Sequence, residues 1–162
     1  KAIGVGMNYW EMPLEFVHTG LIDMVLLAGR YTLLEQTALP LLEACARHQV
    51  SVVIGSVFNS GLLANPKEGS TYNYVAAPQD MLERAVKLKH VCESFDVSLK
   101  AAALQFPSKH PAVVSVLTAA QTAMQLEENV GAFAQQLPAE LWHGLEKQQL
   151  LSEEVLAAMT HV

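Results

Sequence analysis

Short apolar runs and helical patterns alternate along the chain. The apolar runs occupy residues 2–7, 22–27, 51–57 and 113–117. The second run lacks strict alternation of apolar and polar positions, which is typical of a strand covered on both faces. Apolar positions that recur every three or four residues predict helices at about 13–19, 39–48, 79–95, 98–106, from 122 onward, 139–147 and 152–160. This alternation predicts an α/β fold, in which four parallel strands alternate with helices through right-handed crossovers.

Two architectures fit four strand–helix units, a small doubly wound sheet and a segment of a (β/α)8 barrel. Neither a linker nor an internal repeat divides the chain, so residues 1–162 are interpreted as a single domain. The first run begins directly after Lys1, and we therefore expect the chain to be part of a longer unit. A loop at 58–78 follows the third strand, and loops of about twenty residues in a compact domain are usually functional.

The composition narrows the function classes. Hydrophobic residues make up 51% of the chain, yet no apolar stretch reaches the roughly 18 residues of a membrane span, so we predict no membrane contact. The net charge is −6 and the ten lysines and arginines form no cluster, which argues against nucleic acid as a partner. Cys45 and Cys92 fall in helical patterns and are predicted to be free, buried thiols. No signal peptide is recognisable, so the cytoplasm is the expected location.

The last strand and the helix after it form the most informative junction. Residues 113–130 run from a strand end through a tight loop to Thr122 and Gln125, which have the spacing of a capping box. The N–H groups and the positive end of such a helix attract phosphate, and barrels bind phosphate after their last two strands. On the residues alone, an ordinary strand–helix junction explains the same segment.

Other polar groups follow the first and third strands. The segment 55–62 offers hydroxyls, an amide and two glycines, and an ordinary turn would look similar. The first strand ends in Gly4, Gly6 and Asn8, which lack the third glycine of the dinucleotide fingerprint, so a Rossmann fold is disfavoured. The six histidines show no metal-ligand spacing, and no metal site is predicted. Glu128 is interpreted as part of a solvated helix face, although an adenine amine could reach it.

Four segments together resemble a known family. They are GVGMN from residue 4, LLAGRYTLLEQ from 26, VVIGSVFNSGLLA from 52 and VSVLTAAQTAMQLEENV from 114. In this order they resemble the C-terminal half of an aldo-keto reductase, closest to the branch of aldose, fucose and pyridoxal dehydrogenases. The resemblance extends over about residues 2–135. It implies that the chain is the C-terminal half, strands 5–8, of a (β/α)8 TIM barrel.

The resemblance also implies where a nicotinamide cofactor would lie. Asn8 would hydrogen-bond the nicotinamide carboxamide. Residues after the third strand would follow the pyrophosphate: Ser56, Phe58, Ser60 and Leu62. Residues after the fourth strand would take the adenosine end: Leu117, Thr118, Ala119, Gln121, Gln125, Glu128 and Asn129. Gln121 stands where the family usually has an arginine that would pair with a 2′-phosphate, so of NAD and NADP the resemblance favours NAD.

The family's catalytic Tyr, Asp, Lys and His lie in the first four strands, so the resemblance assigns no catalytic residue to this chain. The intact barrel is expected to transfer hydride between NAD(P) and a small aldehyde, aldose or polyol, and the chain alone is expected to be inactive. Its expected partner is the missing N-terminal half, or a second copy that closes the barrel. Two alternatives stay open: a catalytically inactive stand-alone half-barrel, and an unrelated phosphate-binding α/β module.

Overall fold

A parallel sheet organises the chain, as a computed structural model of residues 1–159 shows. In chain order the strands are β1 (Gly4–Met7), β2 (Met24–Ala28), β3 (Ser51–Gly55), β4 (Thr71–Tyr72), β5 (Val75–Ala76) and β6 (Val113–Leu117). The large sheet has the order β1-β2-β3-β6 with every pair parallel, and β4 and β5 form a small antiparallel hairpin. Apart from that hairpin, each strand lies beside its predecessor. Because a doubly wound sheet reverses its strand order at a switch point, this order favours the barrel segment.

The helices lie within a few residues of the positions that the apolar pattern predicts. They are α1 (Glu11–Thr19), α2 (Leu39–His48), α3 (Gln79–Ser94), α4 (Leu99–Gln105), α5 (Ala123–Ala134), α6 (Glu140–Lys147) and α7 (Glu153–Ala157). A single 3-10 turn at Pro107–Lys109 follows α4. The last predicted helix, 152–160, ends earlier than expected, at Ala157, and its final predicted position lies outside the described residues.

Helices cover one face of the sheet and enclose an apolar core. On that face Val25 and Val52 are register partners, and both are fully buried. Further out, Tyr31, Phe106 and Trp142 form a row of buried rings whose centroids are 5.1 Å and 6.3 Å apart. Aromatic rings in such offset and tilted contacts contribute large buried areas. The row joins the segment after β2 to α6 and so holds the C-terminal helices on the sheet units.

The guanidinium of Arg84 forms two hydrogen bonds that connect segments of the same region. From α3, its Nε donates to the Leu34 carbonyl at 3.0 Å, and its Nη2 donates to the Leu150 carbonyl. Hydrogen bonds from a charged donor are roughly twice as strong as neutral ones. Arg84 therefore ties the segment after β2 and the segment between α6 and α7 to one helix.

The uncovered face of the sheet and both ends of the arc leave apolar side chains exposed. On the uncovered face of the sheet, Leu26 and Leu117 are 38% and 55% exposed. At the ends of the arc, α1 and α5 expose further apolar side chains: Met12, Phe16, Leu126, Val130 and Phe133. Exposed large apolar side chains that are grouped on one face of an element are typical of an interaction surface. These are the surfaces that four additional strand–helix units would cover in a closed barrel.

The apolar stripe of α5 faces in an unexpected direction. Leu126, Val130 and Phe133 have the spacing of a stripe that faces the core, yet all three are about half-exposed and the buried residue of this helix is Asn129. The reason is position, because α5 follows β6, the last strand of the arc, and packs on α4. A sequence pattern fixes which residues share a helix face, but the neighbours decide what that face meets.

Both cysteines lie in the core, which confirms the prediction of free, buried thiols. Burial raises the pKa of Cys45 to about 11 and that of Cys92 to about 12. Both thiols are therefore protonated and unreactive at neutral pH. Across residues 1–159, no helix has the length and apolar character that crossing a membrane would require.

Candidate functional site

A groove follows the carboxyl ends of the four parallel strands. It consists of three cavities that share lining residues. Ser56 and Ser60 line both the first and the second cavity, and Phe58 and Ala119 line both the second and the third. Ligands of barrels and of open α/β sheets alike bind at the carboxyl ends of the strands. This groove is therefore the candidate site.

The first cavity is polar and lies beyond β1, β2 and β3. Its volume is about 250 Å³, and most of its side chains carry hydrogen-bonding groups: Asn8, Tyr9, Ala28, Gly29, Arg30, Ser56, Asn59, Ser60, Asn73 and Tyr74. Tyr9 and Tyr74 are 67% and 86% exposed, so both rings offer aromatic surface to a planar group. The cavity suits a ligand end that is planar and rich in donors and acceptors.

The segment after β3 is held in a left-handed backbone conformation. Asn59, Ser60 and Gly61 have φ angles of 46°, 59° and 93°, a region that non-glycine residues adopt at a cost. Ser60 also anchors the β4–β5 hairpin, because its Oγ accepts from the Tyr74 N–H at 3.1 Å and its carbonyl accepts from Thr71 Oγ1 at 3.0 Å. The long loop predicted at 58–78 is thus an ordered flap over the first cavity.

A buried amide connects this segment to the one after β2. Asn59 Oδ1 accepts from Thr32 Oγ1 at 2.7 Å, and Asn59 Nδ2 donates to the Gly29 carbonyl at 3.3 Å. Thr32 is fully buried and Asn59 is 3% exposed. Two hydrogen bonds in a buried setting fix the relative position of the strand ends that line the first cavity.

Arg30 organises the other side of the first cavity. Its Nη1 forms an ion pair with Glu35 Oε2 at 2.9 Å, and its Nε donates to the Asn8 carbonyl at 3.1 Å. The guanidinium lies 5.7 Å from the centre of the Tyr9 ring, within cation–π range. The Tyr72 hydroxyl donates to Glu35. Burial, and secondarily this hydrogen bond, raise the pKa of Tyr72 to about 12, so the hydroxyl stays protonated at neutral pH.

The capped start of α5 lies at the other end of the groove. Thr122 Oγ1 accepts from the Gln125 N–H at 3.2 Å, which confirms the predicted helix start. The Gln125 side chain turns back to accept from the Gln121 N–H at 2.8 Å, one residue before the position that a standard capping box uses. The backbone N–H groups of Ala123 and Met124 lie in the first turn, where a helix offers them no partner. They leave a partial positive charge at this end.

The third cavity lies between α5 and α4. Seven residues line it: Phe58, Ala64, Lys100, Ala119, Gln125, Glu128 and Asn129. Asn129 is 5% exposed although the apolar residues of the same helix, α5, are about half-exposed. Lys100 Nζ and Glu128 Oε2 form an ion pair at 3.0 Å. This end of the groove therefore combines amides, one cation and one anion around a partly apolar floor.

Ten of the twelve residues predicted from the family resemblance line this groove. They are Asn8, Ser56, Phe58, Ser60, Leu117, Thr118, Ala119, Gln125, Glu128 and Asn129. Leu62 is fully buried, and its N–H donates to the Asn59 carbonyl. Gln121 is exposed and outside the lining. The structure thus brings ten residues together and leaves two apart, while their roles toward a cofactor stay predictions.

Three residues of the site were missed by the sequence reasoning. Arg30 and Asn59 lie inside segments that carried the resemblance, yet no role was assigned to them. Asn59 begins an Asn-Ser-Gly sequence, which is a signal for a left-handed turn and could have been used. Lys100 gave no signal, because nothing in the spacing of residues 100 and 128 predicts that their side chains meet.

The histidines give no support to a metal site. Within residues 1–159, no three His, Cys, Asp or Glu side chains gather closely enough to hold a metal ion. His110 is 2% exposed, and its Nδ1 accepts from the Ala112 N–H at 3.2 Å. Burial lowers the pKa of His110 to about 4, so the ring is neutral at pH 7. Its contacts are those of a residue that supports the turn before β6.

Comparison with known proteins agrees with this architecture. The model of the aldo/keto reductase family matches residues 1–149. The chain is 38% identical over 157 residues to pyridoxal 4-dehydrogenase from Microbacterium luteolum, covering 94% of this chain and 45% of that protein. It is 40% identical over 154 residues to D-threo-aldose 1-dehydrogenase from a Pseudomonas species, covering 93% and 47%.

A solved structure shows the same relation in three dimensions. A holo-form aldo-keto reductase from Bacillus halodurans superposes with a TM-score of 0.69 at 25% identity, and the match covers 98% of this chain and 51% of that one. The chain thus spans about half the length of the relatives that it matches. The order of its strands and the family match over residues 1–149 lead to one conclusion: the chain belongs to the aldo/keto reductase family and has the fold of part of its TIM barrel.

Proposed function

We propose that this chain is the dinucleotide-binding half of a cytoplasmic, NAD(P)-dependent aldo-keto reductase, residues 1–162 forming one half-barrel unit. One observation carries the proposal. Ten residues that the family resemblance assigns to the cofactor line a single groove at the carboxyl ends of the strands. The groove runs from an amide-rich cavity to a capped helix start, which matches the two chemically different ends of a nicotinamide dinucleotide.

The residues present fit such a ligand along the whole groove. Asn8 and the exposed rings of Tyr9 and Tyr74 suit a planar carboxamide, and the left-handed segment after β3 presents backbone groups at the middle of the groove. The free N–H groups at the start of α5 suit phosphate. When bound, the dinucleotide would supply or accept the hydride. The chain's own part would be to orient it against the strand ends.

The names of the two relatives support a substrate class. One acts on pyridoxal and one on a D-threo-aldose, so a small aldehyde, aldose or polyol is the substrate that we propose. Carbonyl reduction needs a general acid that delivers a proton as hydride arrives. In this chain the buried Tyr31 has a pKa held well above its usual range by burial, and Tyr72 donates to Glu35. Tyr9 and Tyr74 are exposed at the first cavity, but the family resemblance puts the catalytic tyrosine in the first four strands, so the proton donor is proposed to reside on the other half of the barrel.

The exposed apolar surfaces support a partner of matching architecture. The uncovered sheet face and the apolar sides of α1 and α5 lie where four more strand–helix units would pack. The N-terminal half of the same barrel is the proposed partner. The second candidate is a catalytically inactive half-barrel that associates with a second copy, and the same exposed surfaces favour it, because two copies would cover each other's open edges.

The binding test uses the chain as it stands. NADH and NADPH are titrated, and saturable enhancement of reduced-nicotinamide fluorescence is expected. Asn129→Ala removes a buried amide from the third cavity and should weaken binding about tenfold, the effect of losing one well-placed hydrogen bond to the ligand. Asn65→Ala is the matched control, because Asn65 is exposed and outside the groove lining. Absence of saturable binding at millimolar concentrations, or equal effects of both variants, would refute the proposed site.

The activity test separates the two candidate functions. An intact-mass measurement of the protein from its native source shows whether the chain is 17.6 kDa or about twice that mass. Turnover of pyridoxal or an aldose by the long form only is the expected outcome. A 17.6 kDa dimer without turnover would support the self-associating half-barrel instead.

A further inference from the structure

A separate cavity lies at the amino ends of the strands, on the opposite edge of the sheet from the groove. Its volume is about 460 Å³, within the range of about 300–1,000 Å³ that is typical of small-molecule sites. Arg47 precedes β3 and His110 precedes β6, and residues 157–159 at the end of α7 line another side. It shares no lining residue with the groove.

Two opposite charges from α2 line this cavity without forming an ion pair. Glu43 and Arg47 are four residues apart, and a glutamate one turn before a basic residue is the favourable order for pairing on a helix. In the part of the chain that the structure describes, however, neither side chain takes part in an ion pair. The cavity thus offers one carboxylate and one guanidinium, each with unused hydrogen-bonding capacity.

A buried imidazole adds a third polar group. His110 Nδ1 accepts from the Ala112 N–H at 3.2 Å, and burial lowers the pKa of His110 to about 4, so the ring is neutral at pH 7 and carries its proton on Nε2. Across residues 1–159 this N–H has no acceptor. The side-chain polar atoms that are enclosed without a partner there are the Tyr31 hydroxyl and the Trp142 N–H. The Nε2–H of His110 is therefore accessible from the cavity that its ring lines.

These charges and the rest of the lining restrict the class of ligand. A simple anion would approach the carboxylate of Glu43, and a simple cation would approach the guanidinium of Arg47, so each would be attracted and repelled at once. A zwitterion pairs with both charges. The other five lining residues are apolar and suit an apolar body: Ala46, Pro111, Ala157, Ala158 and Met159.

We infer that this cavity binds a free α-amino acid with a large apolar side chain. Its ammonium group pairs with Glu43, its carboxylate accepts from Arg47 and His110, and its side chain lies against the apolar lining. An α-amino acid carries both charged groups on one carbon atom, which suits two side chains that start about 5–6 Å apart on one helix face. The inference goes beyond the proposed function, because the cavity is separate from the dinucleotide groove.

The test compares three probes that share one apolar body. L-Phenylalanine, 3-phenylpropionate and 2-phenylethylamine are titrated calorimetrically into the full chain, since the second lacks the ammonium group and the third lacks the carboxylate. L-Phenylalanine should bind about tenfold more tightly than either analogue, the gain expected from one charge-assisted hydrogen bond. Saturation with NADH should leave its affinity unchanged, whereas displacement by NADH would place the amino acid in the groove and overturn the inference.

Two substitutions at exposed positions assign the charged groups. Glu43→Gln should abolish the preference over 3-phenylpropionate and keep the preference over 2-phenylethylamine, and Arg47→Gln should do the reverse. Glu127→Gln and Lys87→Gln are the matched controls, because both residues are exposed and lie outside the cavity lining, and both preferences should persist in them. Equal affinities for the three probes, no saturable binding of L-phenylalanine at millimolar concentrations, or preferences that survive Glu43→Gln and Arg47→Gln would refute this site and leave the dinucleotide proposal untouched.

Discussion

Removing the Asn59 side chain should destabilise the candidate site, because this side chain makes buried hydrogen bonds to the segment after β2. Asn59→Ala deletes the acceptor for the Thr32 hydroxyl and the donor to the Gly29 carbonyl. Thr32 is fully buried and Asn59 is 3% exposed, so neither partner gains direct contact with bulk water. Alanine also has to occupy the left-handed conformation that asparagine tolerates better, since φ is 46° at this position.

The contacts of Asn59 set the size of the decrease in the free energy of unfolding. Each buried group left without a partner costs about 1–3 kcal/mol. The left-handed alanine adds about 1 kcal/mol. For the two groups and the backbone together, the decrease in the free energy of unfolding is about 3–7 kcal/mol, a large part of the total stability of a domain. Equilibrium unfolding in urea, followed by far-UV circular dichroism and tryptophan fluorescence, measures this decrease. The slope of the unfolding free energy against urea concentration, the m value, should stay unchanged.

Asn59→Gly separates the two contributions. Glycine loses both side-chain hydrogen bonds but adopts a positive φ without strain, so it should be more stable than the alanine variant by up to about 1 kcal/mol. A loss below 1 kcal/mol in Asn59→Ala would contradict the idea that the two hydrogen bonds fix the strand ends. A glycine variant less stable than the alanine variant would contradict the backbone argument.

Three further predictions concern the scaffold of the site. In the folded protein the pKa of His110 is lowered to about 4, whereas it is near 6.5 in the unfolded chain. The neutral ring therefore stabilises the fold fully above pH 6.5, and the free energy of unfolding should fall by up to about 3 kcal/mol as the pH drops toward 4. Urea unfolding at several pH values should show a smaller decrease in His110→Asn. Gly144→Ala should lower the free energy of unfolding by up to about 2 kcal/mol, because a Cβ there would lie 2.7 Å from the Phe95 ring and the resulting strain of about 1–3 kcal/mol exceeds the helix-propensity gain of about 1 kcal/mol. Arg84→Met should lower the free energy of unfolding by about 2–3 kcal/mol, because it leaves two carbonyls without their charged donor. Urea unfolding measures the difference for this variant and for Gly144→Ala.

Each of these predictions has a control in the same chain. An unchanged pH dependence in His110→Asn would show that the carboxylates, and not this ring, govern acid sensitivity. Gly131→Ala makes the same substitution in α5 with nothing within 4 Å of the new Cβ, so it should raise stability by about 0.5–1 kcal/mol. If Gly131→Ala and Gly144→Ala change stability in the same direction, the packing argument fails. Arg84→Lys should recover part of the loss, since lysine can reach one carbonyl but cannot bridge both.

Local patterns in the sequence determined most of the secondary structure. The apolar runs gave the four main strands and the spacing of apolar residues gave the helices, because these signals depend on neighbours within one or two turns of the chain. Thr122 and Gln125 predicted the start of α5 for the same reason, and the hydrogen bond between them is present. The hairpin at 71–76 escaped prediction, since two strands of two residues each carry almost no periodic signal.

Only the tertiary structure decided what each face meets. The stripe of Leu126, Val130 and Phe133 follows a core pattern, yet it faces solvent because α5 lies at the end of the arc. Asn59 became a connector because β2 and β3 are parallel neighbours, which brings Thr32 and residue 59 together across 27 positions of sequence. The sequence alone thus determined the elements and the family, through local periodicity and ordered motifs. The groove, its ion pair and its exposed apolar flanks depend on long-range contacts, and these exist only once the strands have paired.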